Sequence, residues 1–147
     1  MPKRPGRQVA ALPFVRDAVG LRLLLITSRR TRRWIIPKGW KPRRMKARKA
    51  AAREAREEAG IMGKTSKQPL GEFFYEKEKA DSRLTCRVRV FALSVDRQLP
   101  EWKEQGERSL RWCPPDLAVE LVSDAGLAEL IAKHFIAGED VRKSSGK

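Results

Sequence analysis

Three glutamates stand within the five residues 54–58 of the stretch REAREEAG, Arg53 to Gly60. If the stretch is helical, at about 100° per residue, Glu54, Glu57 and Glu58 share one arc of the helix surface. Like charges four residues apart destabilise a helix, and acidic groups near its C-terminus oppose its dipole. A hard divalent cation such as Mg²⁺ would remove both penalties, because it binds carboxylate oxygens. The pattern therefore predicts either a cation site or a solvated acidic face.

The charge of the chain is unevenly distributed. Residues 1–50 contain 16 of the 33 Lys and Arg residues but only one of the 18 acidic residues, whereas residues 51–147 are balanced. Such a basic segment indicates an anionic partner: a nucleic acid, a membrane surface or a polyphosphate compound. A merely soluble basic surface is the alternative, but it does not explain the segregation. No apolar run approaches about 18 residues, so we expect no membrane partner.

The length and the cysteines indicate one domain in a reducing compartment. A chain of 147 residues can bury the core of one domain, which we expect over residues 7–137. The polar segments 1–6 and 138–147 predict flexible tails. Cys86 and Cys113 lie far apart without ligand-like spacing, which favours small apolar residues of a cytoplasmic protein.

Hydrophobic patterning predicts a mixed sheet with helices packed on it, an α/β class. Met45–Ala59 lacks Gly and Pro and is rich in Ala, Arg and Glu, which predicts a helix that ends at Gly60. The apolar spacing over Asp124–Ile136 predicts a second helix, with Ser123 or Asp124 as its cap. Strands are predicted for apolar runs bounded by turn residues, namely QVAALPFV, LRLLLITS, the run within RRWIIPKGW, LGEFFYEKE, RLTCRVRVFALSV and LRWC.

The stretch from Gly39 to Ile61 resembles the Nudix box. Met45 stands where that pattern has its first glutamate. A pattern of this length and spacing is specific, so the resemblance implies a Nudix fold, a mixed β-sheet sandwiched between helices (α/β/α). The positions that match the box are Gly39, Arg53, Glu54, Glu57, Glu58, Gly60 and Ile61, with Ala55 in the first aliphatic position.

Segments outside the box are similar to one branch of this superfamily, the diphosphoinositol polyphosphate and diadenosine polyphosphate phosphohydrolases. In that branch an Arg and a Trp precede a Pro–Gly loop, as in SRRTRRWIIPKG, and a Trp–Glu stretch leads to a late strand, as in EWKEQGERSLRW. This chain has PKGW where much of the branch has a run of glycines. The resemblance covers roughly Arg7 to Phe135.

The resemblance implies a Mg²⁺-dependent hydrolase, with Mn²⁺ as a possible substitute, that cleaves a phosphoanhydride bond. It assigns Glu54, Glu57 and Glu58 to the metal site, with Glu54 and Glu58 as direct ligands and the Gly39 carbonyl as a backbone ligand. Arg53 would position Glu57. Three residues remain open as the general base, namely Glu57, Glu104 and Glu107.

A polyphosphate substrate requires several cations. Arg29, Arg33 and Lys38 flank the predicted loop before the helix, and Arg87 lies on the basic face of a strand, so we expect these four residues to bind phosphate. The alternative for any one of them is an ordinary solvated arginine or lysine. His134 and the tryptophans are expected to pack rather than to bind ligands.

Three functions remain open at this stage. The first is a pyrophosphohydrolase acting on a diadenosine polyphosphate, an inositol pyrophosphate or a related nucleoside diphosphate derivative. The second is removal of pyrophosphate from an RNA 5′ end, which would also use the basic segment. The third is an inactive Nudix module that binds nucleotide or RNA, which Met45 alone supports. The sequence does not identify the substrate, the number of metal ions or the oligomeric state.

Overall fold

A computed structural model describes residues 5–137, which form one mixed eight-stranded sheet with helices on both faces. The central order is β3-β2-β1-β7-β5, with β4 paired to β1, β6 to β7 and β8 to β2. Most of the predicted tails, residues 1–4 and 138–147, lie outside the described residues. The strands are β1 (Gly6–Asp17), β2 (Gly20–Thr27), β3 (Trp34–Ile35), β4 (Lys38–Trp40), β5 (Ile61–Thr65), β6 (Gly71–Lys79), β7 (Ser82–Gln98) and β8 (Leu110–Cys113).

The helices are α1 (Ala47–Ala59), α2 (Pro115–Leu121) and α3 (Ala125–Ile131), which continues into wider π-helical turns over Ala132–Ala137. Gly60 ends α1 with a φ of 67°, a left-handed conformation that glycine adopts without strain. Asp124 lies at the start of α3, but its side chain makes no capping hydrogen bond. Within residues 5–137, no helix is long and apolar enough to cross a bilayer.

Each face of the sheet buries its own apolar cluster, which confirms the α/β/α arrangement. The alanines of α1 pack on Val9, Leu24, Phe91 and Leu93 on one face. On the other face α2 and α3 cover residues that alternate with these along the same strands, because successive side chains point to opposite faces. That second cluster includes Ala10, Leu12, Leu23, Leu25, Phe73, Val88, Val90, Leu127 and Ile131.

Four elements differ from the sequence prediction. Strand β4 (Lys38–Trp40) forms where Pro37 and Gly39 predict the end of the preceding strand. The helix begins at Ala47 rather than Met45, because Lys46 has an extended backbone (φ −63°, ψ 143°). Strand β5 was not predicted, since its run is short and contains Gly63, next to which its pairing with β7 shifts register. Helix α2 was also missed, because two consecutive prolines suggest a break, although proline at the first helical position favours a helix start.

Candidate active site

The backbone of strand β4 packs closely against the carboxylate of Glu54. A Cβ atom at Gly39 would lie 2.5 Å from Cδ of Glu54, closer than two carbon atoms can approach. Gly39 is itself fixed by antiparallel pairing of β4 with β1, opposite Val9. The glycine is therefore required because the helix carboxylate occupies the space of a side chain. The structure thus places Gly39 beside Glu54, and their assignment to a metal site stays a prediction.

Glu58 is the most buried carboxylate of the site, with 7% of its side chain exposed. Its Oε1 accepts a hydrogen bond from the Lys38 backbone N–H at 3.3 Å and lies 3.8 Å from Nη2 of Arg108. Burial raises the pKa of Glu58 to about 8, against the opposing attraction of Arg108 and with further elevation from Glu54 and Glu104. Glu54 and Glu104 therefore lie close enough to Glu58 to repel its negative charge.

Arg108 connects three elements of the site and was not singled out from the sequence. Its side chain is 8% exposed, and its Nε donates a hydrogen bond to Oε1 of Glu104 at 3.0 Å. Its Nη1 donates to the carbonyl of Thr27, at the end of β2, at 3.1 Å. The backbone N–H of Glu104 also donates to the carbonyl of Glu57 at 2.9 Å. Hydrogen bonds thus hold the segment between β7 and β8 against the end of α1. They place Glu104 near Glu54 and Glu58.

Glu57 faces a different neighbour from the one expected. Its carboxylate lies 3.7 Å from Nζ of Lys103 and is 28% exposed. Within residues 5–137 no ion pair joins it to Arg53, whose Nε is buried without a hydrogen-bond partner there. The expected Arg53–Glu57 pair is therefore not formed, although both residues lie beside the two converging glutamates on α1.

The four predicted phosphate-binding residues lie in three places. Nη1 of Arg29 lies 3.0 Å from Oε1 of Glu107, at the rim of the site. Lys38 and Arg33 both lie near Asp124, where their charges oppose the rise in its pKa that burial causes. Arg87 pairs with Glu72 on the α1 face of the sheet, away from the other three.

Lys38 is half-buried on the face of the sheet that α2 and α3 cover. Its Nζ lies 5.0 Å from the ring centroid of Tyr75, whose hydroxyl donates to Oε1 of Gln8 at 2.8 Å. Burial lowers the pKa of Lys38, while Asp124 and Glu58 act in the opposite direction. Since the backbone N–H of Lys38 also donates to Glu58, Lys38 adjoins the glutamates through its backbone.

The donor set fits a hard divalent cation. Mg²⁺ in proteins is commonly bound by one or two carboxylates, and its other positions are taken by water and substrate phosphates. Glu54 and Glu58 supply two carboxylates beside the backbone of Gly39. No group of three His, Cys, Asp or Glu side chains in residues 5–137 converges at metal-binding geometry. The two carboxylates match a cation that takes its other ligands from water and phosphate.

The pKa of Glu58 leads to a prediction for the metal-free protein. Because the folded chain holds this proton more tightly than the unfolded chain, the free energy of unfolding falls as pH rises from 4.5 to about 8. In Glu58→Gln we expect the free energy of unfolding to fall less over this pH range, with a difference on the order of 2 kcal/mol. Urea unfolding at pH 5 and pH 8 with EDTA measures this difference. If the free energy of unfolding changes equally between pH 5 and pH 8 in the two proteins, Glu58 ionises normally.

The family model described as NUDIX domain matches residues 6–134. Nudix hydrolase 13, mitochondrial, of Arabidopsis thaliana is 36% identical over 107 residues, which are 69% of this chain and 53% of that protein. Diphosphoinositol polyphosphate phosphohydrolase 3-alpha of Mus musculus is 33% identical over 98 residues, 67% of this chain and 56% of that protein. The chain spans about half the length of these relatives.

Solved structures share the fold at low sequence identity. A crystal structure of a C. elegans Ap4A hydrolase binary complex has a TM-score of 0.66 at 19% identity, covering 90% of this chain and 98% of that one. A Nudix hydrolase from Listeria monocytogenes has a TM-score of 0.70 at 15% identity, covering 93% and 96%. At such identities the likeness concerns the fold alone.

Proposed function

Since this chain belongs to the Nudix family, we propose that it is a divalent-cation-dependent pyrophosphohydrolase acting on a highly phosphorylated small molecule. The observation that carries the proposal is the convergence of Glu54 and Glu58 beside Gly39, where burial raises the pKa of Glu58. Two carboxylates forced together in this way are expected at a site that binds a cation. The cytoplasmic location remains a prediction.

The residues of the site have distinct tasks in this proposal. Glu54 and Glu58 would hold Mg²⁺ or Mn²⁺, which when bound neutralises phosphate charge and lowers the pKa of water. Arg108 keeps Glu58 and Glu104 oriented through the contacts at 3.8 and 3.0 Å. Glu104, with 15% of its side chain exposed, would accept the proton of the attacking water.

The basic residues around Lys38 support a substrate with several phosphates. Lys38 and Arg33 provide two cations near Asp124, and Arg29 provides a third at the rim beside Glu107. Positive charge at a partly desolvated position attracts and stabilises transferring phosphate. The names of the mouse and worm relatives, which refer to diphosphoinositol polyphosphates and to Ap4A, suggest the first compounds to try.

A substrate panel tests the proposal. It contains diadenosine polyphosphates, inositol pyrophosphates, sugar nucleotides, nucleoside triphosphates and triphosphorylated RNA, each with Mg²⁺ and with Mn²⁺. We expect the highest kcat/KM for a small molecule with four or more phosphates. A clear preference for the RNA would replace this substrate class with RNA 5′ ends. If no compound is hydrolysed, the result favours the alternative of an inactive Nudix module that binds nucleotide or RNA.

Met45, which replaces the first glutamate of the box, should have a limited effect on kcat. Met45 precedes α1 and packs partly buried against the apolar cluster under that helix. We expect Met45→Glu to change kcat by less than about tenfold, or about 1.4 kcal/mol, in either direction. Steady-state kinetics on the best panel compound measures this. If the natural chain is inert and Met45→Glu alone creates turnover, the chain is an inactive module.

A further inference from the structure

Trp102 packs on Gly60, the residue that ends α1. A Cβ atom at Gly60 would lie 2.3 Å from Cε3 of the indole ring, so the ring occupies the space of a side chain. Glycine is thus required here for a second reason besides its φ of 67°. The Nε1–H of Trp102 is buried and has no hydrogen-bond partner within residues 5–137. The indole is therefore held by the packing of its ring.

The carbonyl groups at the end of α1 accept hydrogen bonds from the segment between β7 and β8. A helix leaves its last carbonyls without partners inside the helix. The backbone N–H of Leu99 donates to the carbonyl of Gly60 at 2.7 Å. The N–H of Glu104 donates to the carbonyl of Glu57 at 2.9 Å. Trp102 lies between these two attachment points in the chain, so both ends and the middle of this stretch rest on one helix end.

Gln98, the last residue of β7, adds a further attachment through its side chain. Its Nε2 donates to the carbonyl of Ala59 at 2.8 Å and to the carbonyl of Gly60 at 3.0 Å. Ala59 is fully buried, and a buried carbonyl without a donor is costly. The side-chain amide therefore fixes the start of the segment against the end of α1.

These attachments determine where Glu104 lies relative to the other two carboxylates of the site. Glu54 and Glu58 belong to α1, whereas Glu104 belongs to the segment that rests on the end of α1. Arg108 joins Glu58 and Glu104 through side chains, and such a contact can follow a displaced backbone. A displacement of about 1 Å can lower a reaction rate by about 10²-fold. The backbone of the segment must therefore be held accurately.

We propose that Trp102 and Gln98 are positioning residues, which hold Glu104 beside Glu54 and Glu58 by fixing the segment to the end of α1. The inference rests on the proposed function, because it takes Glu104 as the general base. Trp102 and Gln98 act through the backbone and need no contact with the substrate. Their effect therefore falls on kcat rather than on KM.

Hydrogen exchange of the whole chain, measured by nuclear magnetic resonance in EDTA, tests the positioning without a substrate. The amide of Glu104 should exchange about tenfold faster in Trp102→Leu and in Gln98→Met, since each variant removes one attachment of the segment. The amide of Ala118 in α2 should change less than about twofold. Equal acceleration at both amides would indicate a general loss of stability, and no acceleration at Glu104 would show that other contacts hold it. Either result would overturn the proposal.

Steady-state kinetics on the best panel compound tests the consequence for hydrolysis. Trp102→Leu should lower kcat about tenfold and change KM less than about twofold. Trp102→Phe should restore kcat to within about threefold of the natural value. Phenylalanine keeps an aromatic ring that can pack on Gly60, and the N–H that it lacks has no partner within residues 5–137. Faster exchange at Glu104 with an unchanged kcat would overturn the link between this contact and catalysis.

Trp112 provides a matched control. It lies on β8, outside the segment, and packs partly buried against the apolar cluster under α1. Trp112→Leu makes the same substitution, and we expect kcat and the exchange of the Glu104 amide relative to Ala118 to stay within about twofold of the natural values. Equal losses of kcat in Trp102→Leu and Trp112→Leu would contradict a specific positioning role. If the natural chain hydrolyses no panel compound, the proposed function fails, whereas the exchange rates still decide whether Trp102 holds Glu104 in place.

Discussion

Replacing Glu54 or Glu58 with glutamine should lower kcat/KM by about 10²-fold or more, equivalent to about 2.7 kcal/mol of transition-state stabilisation. Glutamine keeps the shape of the side chain and removes the negative charge that attracts a cation. Both positions lie against strand β4, Glu54 at Gly39 and Glu58 through the N–H of the neighbouring Lys38. Activity on the best panel compound, measured over a range of Mg²⁺ concentrations, should show that the loss is not recovered at saturation.

Glu129 provides the matched control for both substitutions. It is an exposed glutamate on α3, so Glu129→Gln makes the same charge change outside the site. We expect its kcat/KM to remain within about twofold of the natural value, since distant exposed charges are screened. Circular dichroism should show native secondary structure in all three variants. Near-natural turnover in both Glu54→Gln and Glu58→Gln would remove the metal assignment.

Substituting Glu104 with glutamine should lower kcat by about 10²–10⁴-fold with a smaller effect on KM, because general bases contribute factors of that size. The amide oxygen of the new side chain would still accept the hydrogen bond that Arg108 donates at 3.0 Å, so the position of the segment should be retained. Steady-state and pre-steady-state kinetics on the best panel compound measure these effects.

The two other candidate bases serve as comparisons. Glu57 pairs with Lys103, and Glu107 pairs with Arg29 at the rim; within residues 5–137 neither side chain forms an ion pair with Arg108. We expect Glu57→Gln and Glu107→Gln to reduce kcat less than about tenfold. If Glu57→Gln instead lowers kcat by about 10²-fold or more and Glu104→Gln does not, the base is Glu57, one of the three candidates that the sequence leaves open.

The sequence predicts the part of the site that one helix carries. Spacing alone places Glu54 and Glu58 on one arc, and the box pattern adds Gly39, so these three residues require no knowledge of the tertiary fold. Arg108 is different, because its role depends on contacts with Thr27 and Glu58 that are distant in the chain. No local period or turn signal indicates such contacts.

Strand register explains why two of the predicted phosphate-binding residues, Lys38 and Arg87, lie on opposite faces of the sheet. Lys38 pairs with Ala10, whose side chain lies on the face covered by α2 and α3, whereas Arg87 pairs with Arg7 on the face of α1. A shift of one residue in either pairing would reverse the face. Alternation within β7 predicts that Arg87 and Arg89 share a face, but only the pairing of β1 with β7 determines which cations they meet.

Hydrolysis in ¹⁸O-labelled water tests the central claim most directly. The best panel compound is incubated with the protein and Mg²⁺, and the products are analysed by mass spectrometry. We predict one ¹⁸O atom in a phosphate product for each anhydride cleaved, no incorporation with EDTA, and at least about 10²-fold slower incorporation with Glu58→Gln. Incorporation that is equally fast in EDTA or with Glu58→Gln would contradict a cation site at these glutamates.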